Sequence, residues 1–157
     1  MLNIMSQAQR FMNQSQTKAE LVLFKKAFSN GRKSRIFTAL INMDNQLLSL
    51  DEITQGKDIH NRCYQGLKTV PITKIQGSES RSDDFDRNFN PLKKHEMHRW
   101  MRVAEMRLRG RALPAVELIQ IGECYIVIDG HHRISVARAL GEKFIEANVT
   151  RWQLCMN

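Results

Sequence analysis

Residues 125–141, YIVIDGHHRISVARALG, constrain the fold more than any other stretch of the chain. Tyr125 to Ile128 are apolar in succession, so a strand formed here has no polar face to give to water. It must lie inside a sheet and be covered on both sides. Asp129 and Gly130 then break the run. Ile134, Val136, Ala137 and Leu140 recur at helical spacing until Gly141 closes the pattern, with Arg138 on the solvated side. A buried strand that passes through a glycine into a helix belongs to an α/β domain.

The flanking segments fit one such domain. "LPAVELIQIGECYIVIDG" predicts a β-hairpin, with Val116, Leu118 and Ile121 on the first strand and Gly122-Glu123 at the turn. "KFIEANVTRW" predicts a final strand and "KTVPITKI" a short earlier one, with Val70 and Ile72 pointing the same way. "LKKHEMHRWMRVAEMRLRGR" predicts a helix through Met97, Trp100, Met101, Ala104 and Leu108, ended by Gly110. The polar stretch "QGSESRSDDFDRNFNP" between them is expected to be loop.

Residues 1–66 read differently, and the change in composition sets an expected boundary there: an N-terminal helical extension at 1–66 and an α/β domain at 67–157. Ala19, Leu21, Val22, Leu23, Phe24, Ala27 and Phe28 cover one side of a helix opened by Ser15 or Thr17 and stopped at Asn30-Gly31. Lys26, Arg32, Lys33 and Arg35 gather near its end, where cations are favoured. "LLSLDEITQGKD" predicts a short helix opened by Ser49 or Asp51.

Composition narrows the partners. The 157 residues carry a formal net charge of +8, which favours an anion: a nucleotide, nucleic acid or an acidic surface. Cys63, Cys124 and Cys155 are three in number and form no Cys-x-x-Cys pair, which argues against a zinc ribbon and fits a reducing cytoplasm. No secretory signal is evident at the start. No apolar run approaches the ~20 residues of a membrane span, so no membrane partner is expected.

The corner Asp129-Gly130-His131-His132-Arg133 carries the chemistry. Asp129 is expected to cap the following helix, and Gly130 to allow a tight turn and close approach of a ligand. Backbone N–H groups of His131, His132 and Arg133 would lack intrahelical acceptors and face an anion, which the helix dipole also favours. Two imidazoles and a guanidinium at a helix N-terminus are otherwise misplaced. Two other arrangements compete. Arg133 could pair with a carboxylate while the histidines satisfy internal groups, or His95 and His98 could join His131 or His132 around a metal.

These residues resemble the ParB/sulfiredoxin-like superfamily, over about residues 68–150. "VIDGHHRISVARALG" matches its strand–turn–helix corner, and "VPITKIQGSESRSDDFD" resembles its first strand and loop. The resemblance implies a compact α/β domain with a small mixed sheet and packed helices, preceded here by the N-terminal helical segment. It implies that Asp129, Gly130, His131, His132 and Arg133 form a nucleotide-phosphate site. ATP, ADP or CTP would be the ligand, with Mg²⁺ bridging phosphates in an enzyme. Arg81 would be a second phosphate contact through its planar fork, or else a surface arginine beside Asp83, Asp84 and Asp86. Glu79 matches a general base of kinase-like members, though a solvated loop acid accounts for it as well. Two departures are plain. The catalytic cysteine position of sulfiredoxins holds histidine here, and no helix-turn-helix is expected in the 24 residues after Arg133 (157 − 133).

Three functions follow as expectations: a nucleotide-binding module, an ATP- or ADP-dependent phosphotransferase or NTPase, or a DNA-binding or nuclease-like protein. The N-terminal helices are expected to mediate partner contact, including a homodimer.

Overall fold

A computed structural model describes residues 2–80 and 83–156. The chain is α/β, built on one six-stranded mixed sheet in the order β1-β3-β5-β4-β6-β2. Its elements run α1 (Leu2–Leu40), β1 (Leu48–Ser49), α2 (Leu50–Thr54), β2 (Lys57–Pro71), β3 (Ile75–Ser78), α3 (Met97–Leu108), β4 (Val116–Ile121), β5 (Cys124–Asp129), α4 (His131–Ala139) and β6 (Phe144–Met156). β5 lies inside the sheet, between β3 and β4, and its Ile126 and Val127 are fully buried, one on each face. The β4–β5 hairpin, with Gly122 in a left-handed turn, forms as the alternation predicts.

The two faces of the sheet are covered unequally. On one, Val116, Leu118, Val127, Ala147 and Val149 pack with Ile134 and Ala137 of α4 and with Phe85 and Phe89 from the long loop. On α4's far side, Val136 packs with Phe24 and Ala27 of α1 and with Trp100 and Ala104 of α3. α4 is therefore buried along two sides, and the Trp100 indole N–H donates to Ser135 Oγ at 2.8 Å. On the opposite face Ile119 and Ile126 pack with Leu50 and Ile53 of α2, with Ile121, Ile128 and Trp152 beside them.

Three departures from the expected elements have physical causes. α1 does not stop at Asn30-Gly31 but continues to Leu40. Glu20, Phe24, Ala27 and Gly31 are all buried, a seam at spacings of 4, 3 and 4. A Cβ at Gly31 would stand 3.1 Å from Asn90 Cβ and from the Pro91 carbonyl oxygen, so the glycine serves helix–loop packing. The stop comes at Asn42, in the left-handed conformation (φ 52°), with the Met43 N–H donating to the Thr38 carbonyl at 2.9 Å. β3, expected as part of a turn and loop, is an interior strand paired in parallel with both β1 and β5. Its Gly77 leaves room for the Leu48 carbonyl, which would lie 2.6 Å from a Cβ. β2 crosses residues 66 and 67, where composition changes, as one strand paired with β6 from Lys57 to Pro71 and shifted twice in register.

Candidate functional site

β3 and β5 are adjacent and parallel, so their carboxyl ends leave the sheet on the same edge. From β3 the chain continues as Ser78-Glu79-Ser80; from β5 it turns at Gly130 into α4. The Glu79 N–H donates to the Val127 carbonyl at 3.0 Å and the Ser80 N–H to Ser78 Oγ at 3.3 Å, which fixes the first of these loops against the second strand. In open α/β sheets, ligands bind outside the carboxyl ends of the strands, where neighbouring connections part.

Gly130, not Asp129, occupies the N-cap of α4. Its φ of 108° and ψ of 18° are costly for any residue with a side chain, and a Cβ would stand 2.4 Å from Val116 Cγ1. The glycine is thus demanded by packing on β4. Its carbonyl accepts from the Ile134 N–H at 3.0 Å, but it offers the first turn no side-chain cap. The expected cap by Asp129 fails because that residue still belongs to β5, and its exposed carboxylate takes the Arg133 guanidinium.

The other side chains of the corner have partners within the protein. Arg133 Nη1 donates to the carbonyls of Pro114 (2.7 Å) and Ala115 (2.8 Å), while Nη2 pairs with Asp129 Oδ2. His132 Nε2 lies 2.6 Å from Glu96 Oε2, with both groups buried, and the other oxygen of Glu96 meets exposed His95 Nε2 at 3.1 Å. His131 Nε2 lies 2.7 Å from Ser78 Oγ, also buried. Phe85 wedges between the imidazoles, stacked on His131 at 6.0 Å and edge-on to His132 at 5.4 Å.

Of the expected site residues, Asp129, Gly130, His131, His132 and Arg133 converge on this corner. Glu79 is exposed, one residue beyond β3. Arg81 lies outside the described residues. His98 is exposed on α3, and among the described residues no three His, Cys, Asp or Glu side chains are grouped to hold a metal ion. Sequence patterns missed Ser78, Phe85 and Glu96. Glu96, between two histidines on an amphipathic segment, was the most discoverable of them: a buried acid there needs a base.

At the corner a helix starts behind a side-chain-free N-cap, beside the Ser78–Ser80 turn. The guanidinium of Arg133 and the imidazole of His132 hold Asp129, two carbonyls and Glu96. No protein-family model and no curated protein matches the chain. Among solved structures it is similar to sulfiredoxin from Arabidopsis thaliana, at 16% identity over 53% of this chain and 82% of that one, with a TM-score of 0.39.

Proposed function

We propose that the chain is a nucleotide-binding module that seats phosphates between the N-terminus of α4 and the Ser78–Ser80 turn. One observation carries this: the carboxyl ends of two parallel strands, β3 and β5, meet a helix start whose N-cap residue has no side chain. Amide dipoles of a first turn favour negative charge, and backbone donors carry no desolvation penalty of their own ionisation. In this arrangement His131, His132 and Arg133 shape the corner from behind, through Ser78, Glu96 and Asp129. The phosphate contacts are backbone N–H groups and the hydroxyl of exposed Ser80. ATP, ADP and CTP are the candidate ligands, entering with Mg²⁺ as their counterion.

A thermal-shift series with the three nucleotides, each with and without Mg²⁺, tests this. Ligand at 100 times its dissociation constant stabilises the fold by about 2.7 kcal/mol. Tripolyphosphate alone separates phosphate recognition from base recognition. No stabilisation by any of these at millimolar concentration contradicts the proposal.

A phosphotransferase is the second proposal, favoured by the placement of Glu79. Its backbone is pinned to Val127, so its carboxylate leaves the chain at the same edge as α4's N-terminus. There it could take the proton of an attacking hydroxyl. Nucleotide turnover that Glu79→Gln abolishes while binding persists supports catalysis; binding without turnover leaves a module.

A further inference from the structure

At the C-terminal end of α4, a cavity of about 380 Å³ opens between α1, α4 and the loop after β3. Its polar lining is Lys26 and Asn30 of α1, Asn88 and Asn90 of the loop, and Arg138 of α4; Leu23 supplies apolar wall. Two cations and three carboxamides face it, and no carboxylate lines it. Neither Lys26 nor Arg138 makes a salt bridge among the described residues.

Arg138 was expected to be solvated, and is half-buried instead. One terminal nitrogen donates to Asn88 Oδ1 at 3.3 Å and the other to the Ile72 carbonyl at 3.2 Å, and its guanidinium carbon sits 5.7 Å from the Phe89 ring centroid. Those contacts use few of its five N–H donors. Burial pulls its pKa below the ordinary arginine value, and the Asp86 carboxylate opposes that pull from a distance. Asp86 itself is committed elsewhere. Its Oδ1 accepts from the Asn88 and Asn90 N–H groups at 2.9 and 2.8 Å, and its Oδ2 from Asn90 Nδ2 at 3.0 Å. Asp86 thus acts on Arg138 only through its field, with no ion pair between them, and the guanidinium keeps donors for an anion in the cavity.

The loop is also held in shape before any ligand arrives. Phe89, though not glycine, sits at φ 57° with its ring fully buried. The Asp86 bonds and the Asp86 N–H to Asn90 carbonyl bond (3.0 Å) keep it there. Backbone strain of this kind persists only where surrounding contacts over-determine it.

We propose that this cavity is a binding site for a small dianion, either a phosphate monoester or a dicarboxylate, held by Lys26 and Arg138 and oriented by the amides of Asn30, Asn88 and Asn90. It is separate from the α4 N-terminal corner and stands whether or not nucleotides bind there. It also gives α1 a role, since the helix contributes Lys26 and Asn30 to the polar lining.

The test follows the side-chain NH₂ resonances of the asparagines during titration of the full chain with inorganic phosphate and, separately, succinate. Asn30, Asn88 and Asn90 report on this cavity and not on the corner. Saturable shifts at all three with one probe identify the class of anion, phosphate or dicarboxylate. Lys26 is exposed, so Lys26→Gln leaves the fold intact; it should weaken binding at least fivefold, with Arg138→Lys weakening it further. Absence of saturable shifts with both probes at millimolar concentration overturns the proposal. So does binding that survives Lys26→Gln unchanged.

Discussion

Gly130→Ala is the sharpest perturbation of the strand-to-helix corner. Two costs add. The backbone at φ 108° lies beyond the compact left-handed basin, so a side chain there costs about 1–3 kcal/mol. The new Cβ would stand 2.4 Å from Val116 Cγ1 and 2.8 Å from Val116 Cβ, and Val116 is fully buried on β4. Overpacking of a filled core costs about 1–3 kcal/mol. The sum, about 2–6 kcal/mol, is a large part of the ~5–15 kcal/mol that holds most domains together. Urea unfolding followed by the fluorescence of Trp100 and Trp152 measures it. Val116→Ala removes Cγ1, the nearer atom, and keeps Cβ at 2.8 Å, so in that background Gly130→Ala should cost about 1–2 kcal/mol less than in the parent. A loss below 1 kcal/mol, or strictly additive single and double variants, refutes the proposed geometry of the corner.

Three further outcomes are expected. Asp86→Ala removes the fully buried acceptor for two backbone N–H groups and one carboxamide of its turn, and should cost about 2–4 kcal/mol in the same unfolding assay. His132→Ala removes the buried partner of Glu96 Oε2; it should cost about 2–4 kcal/mol near neutral pH, and adding Glu96→Gln should recover part of that loss. Burial, and then the Glu105 carboxylate, raise the Glu20 carboxyl above its ordinary 4.5, against the pull of Arg109. The folded state therefore prefers the protonated acid, and its contribution to stability is full below 4.5 and fades as pH rises through the raised value. Glu20→Gln should stabilise the chain at neutral pH, with the gain shrinking as pH falls toward 4.5; a pH-independent gain would show that charge burial is not its cause.

What could be seen in the sequence follows from how strongly burial shapes each segment. β5 and α4 were legible because Tyr125–Ile128 and the Ile134–Leu140 pattern have one arrangement that buries them. α3 was legible for the same reason, through Trp100 and Ala104. β3 was hidden because Gln76-Gly77-Ser78 looks like a turn, and only the close approach of the Leu48 backbone explains a glycine in an interior strand. The first half of β2, Lys57–Gln65, was hidden because an edge strand is solvated and needs no apolar alternation. At the corner, the residue types drew attention correctly, but their partners could not be read. Glu96 lies 36 positions from His132 and Ser78 lies 53 from His131. Those distances close only once α3 and β3 pack beside α4. Arg138 misled in the opposite sense: a cation in a helix's last turn reads as solvated, until α1 and the Asn88–Asn90 turn fold over it.

The central claim is that the start of α4 receives phosphate through its backbone. Backbone ¹⁵N–¹H spectra recorded during titration with ATP, ADP and CTP, each with Mg²⁺, test it most directly. The account predicts that the amides of Gly130, His131, His132 and Arg133, with Ser80, shift most and saturate together for at least one nucleotide. Saturating shifts elsewhere with these amides unmoved, or no shifts from a folded chain, would contradict it.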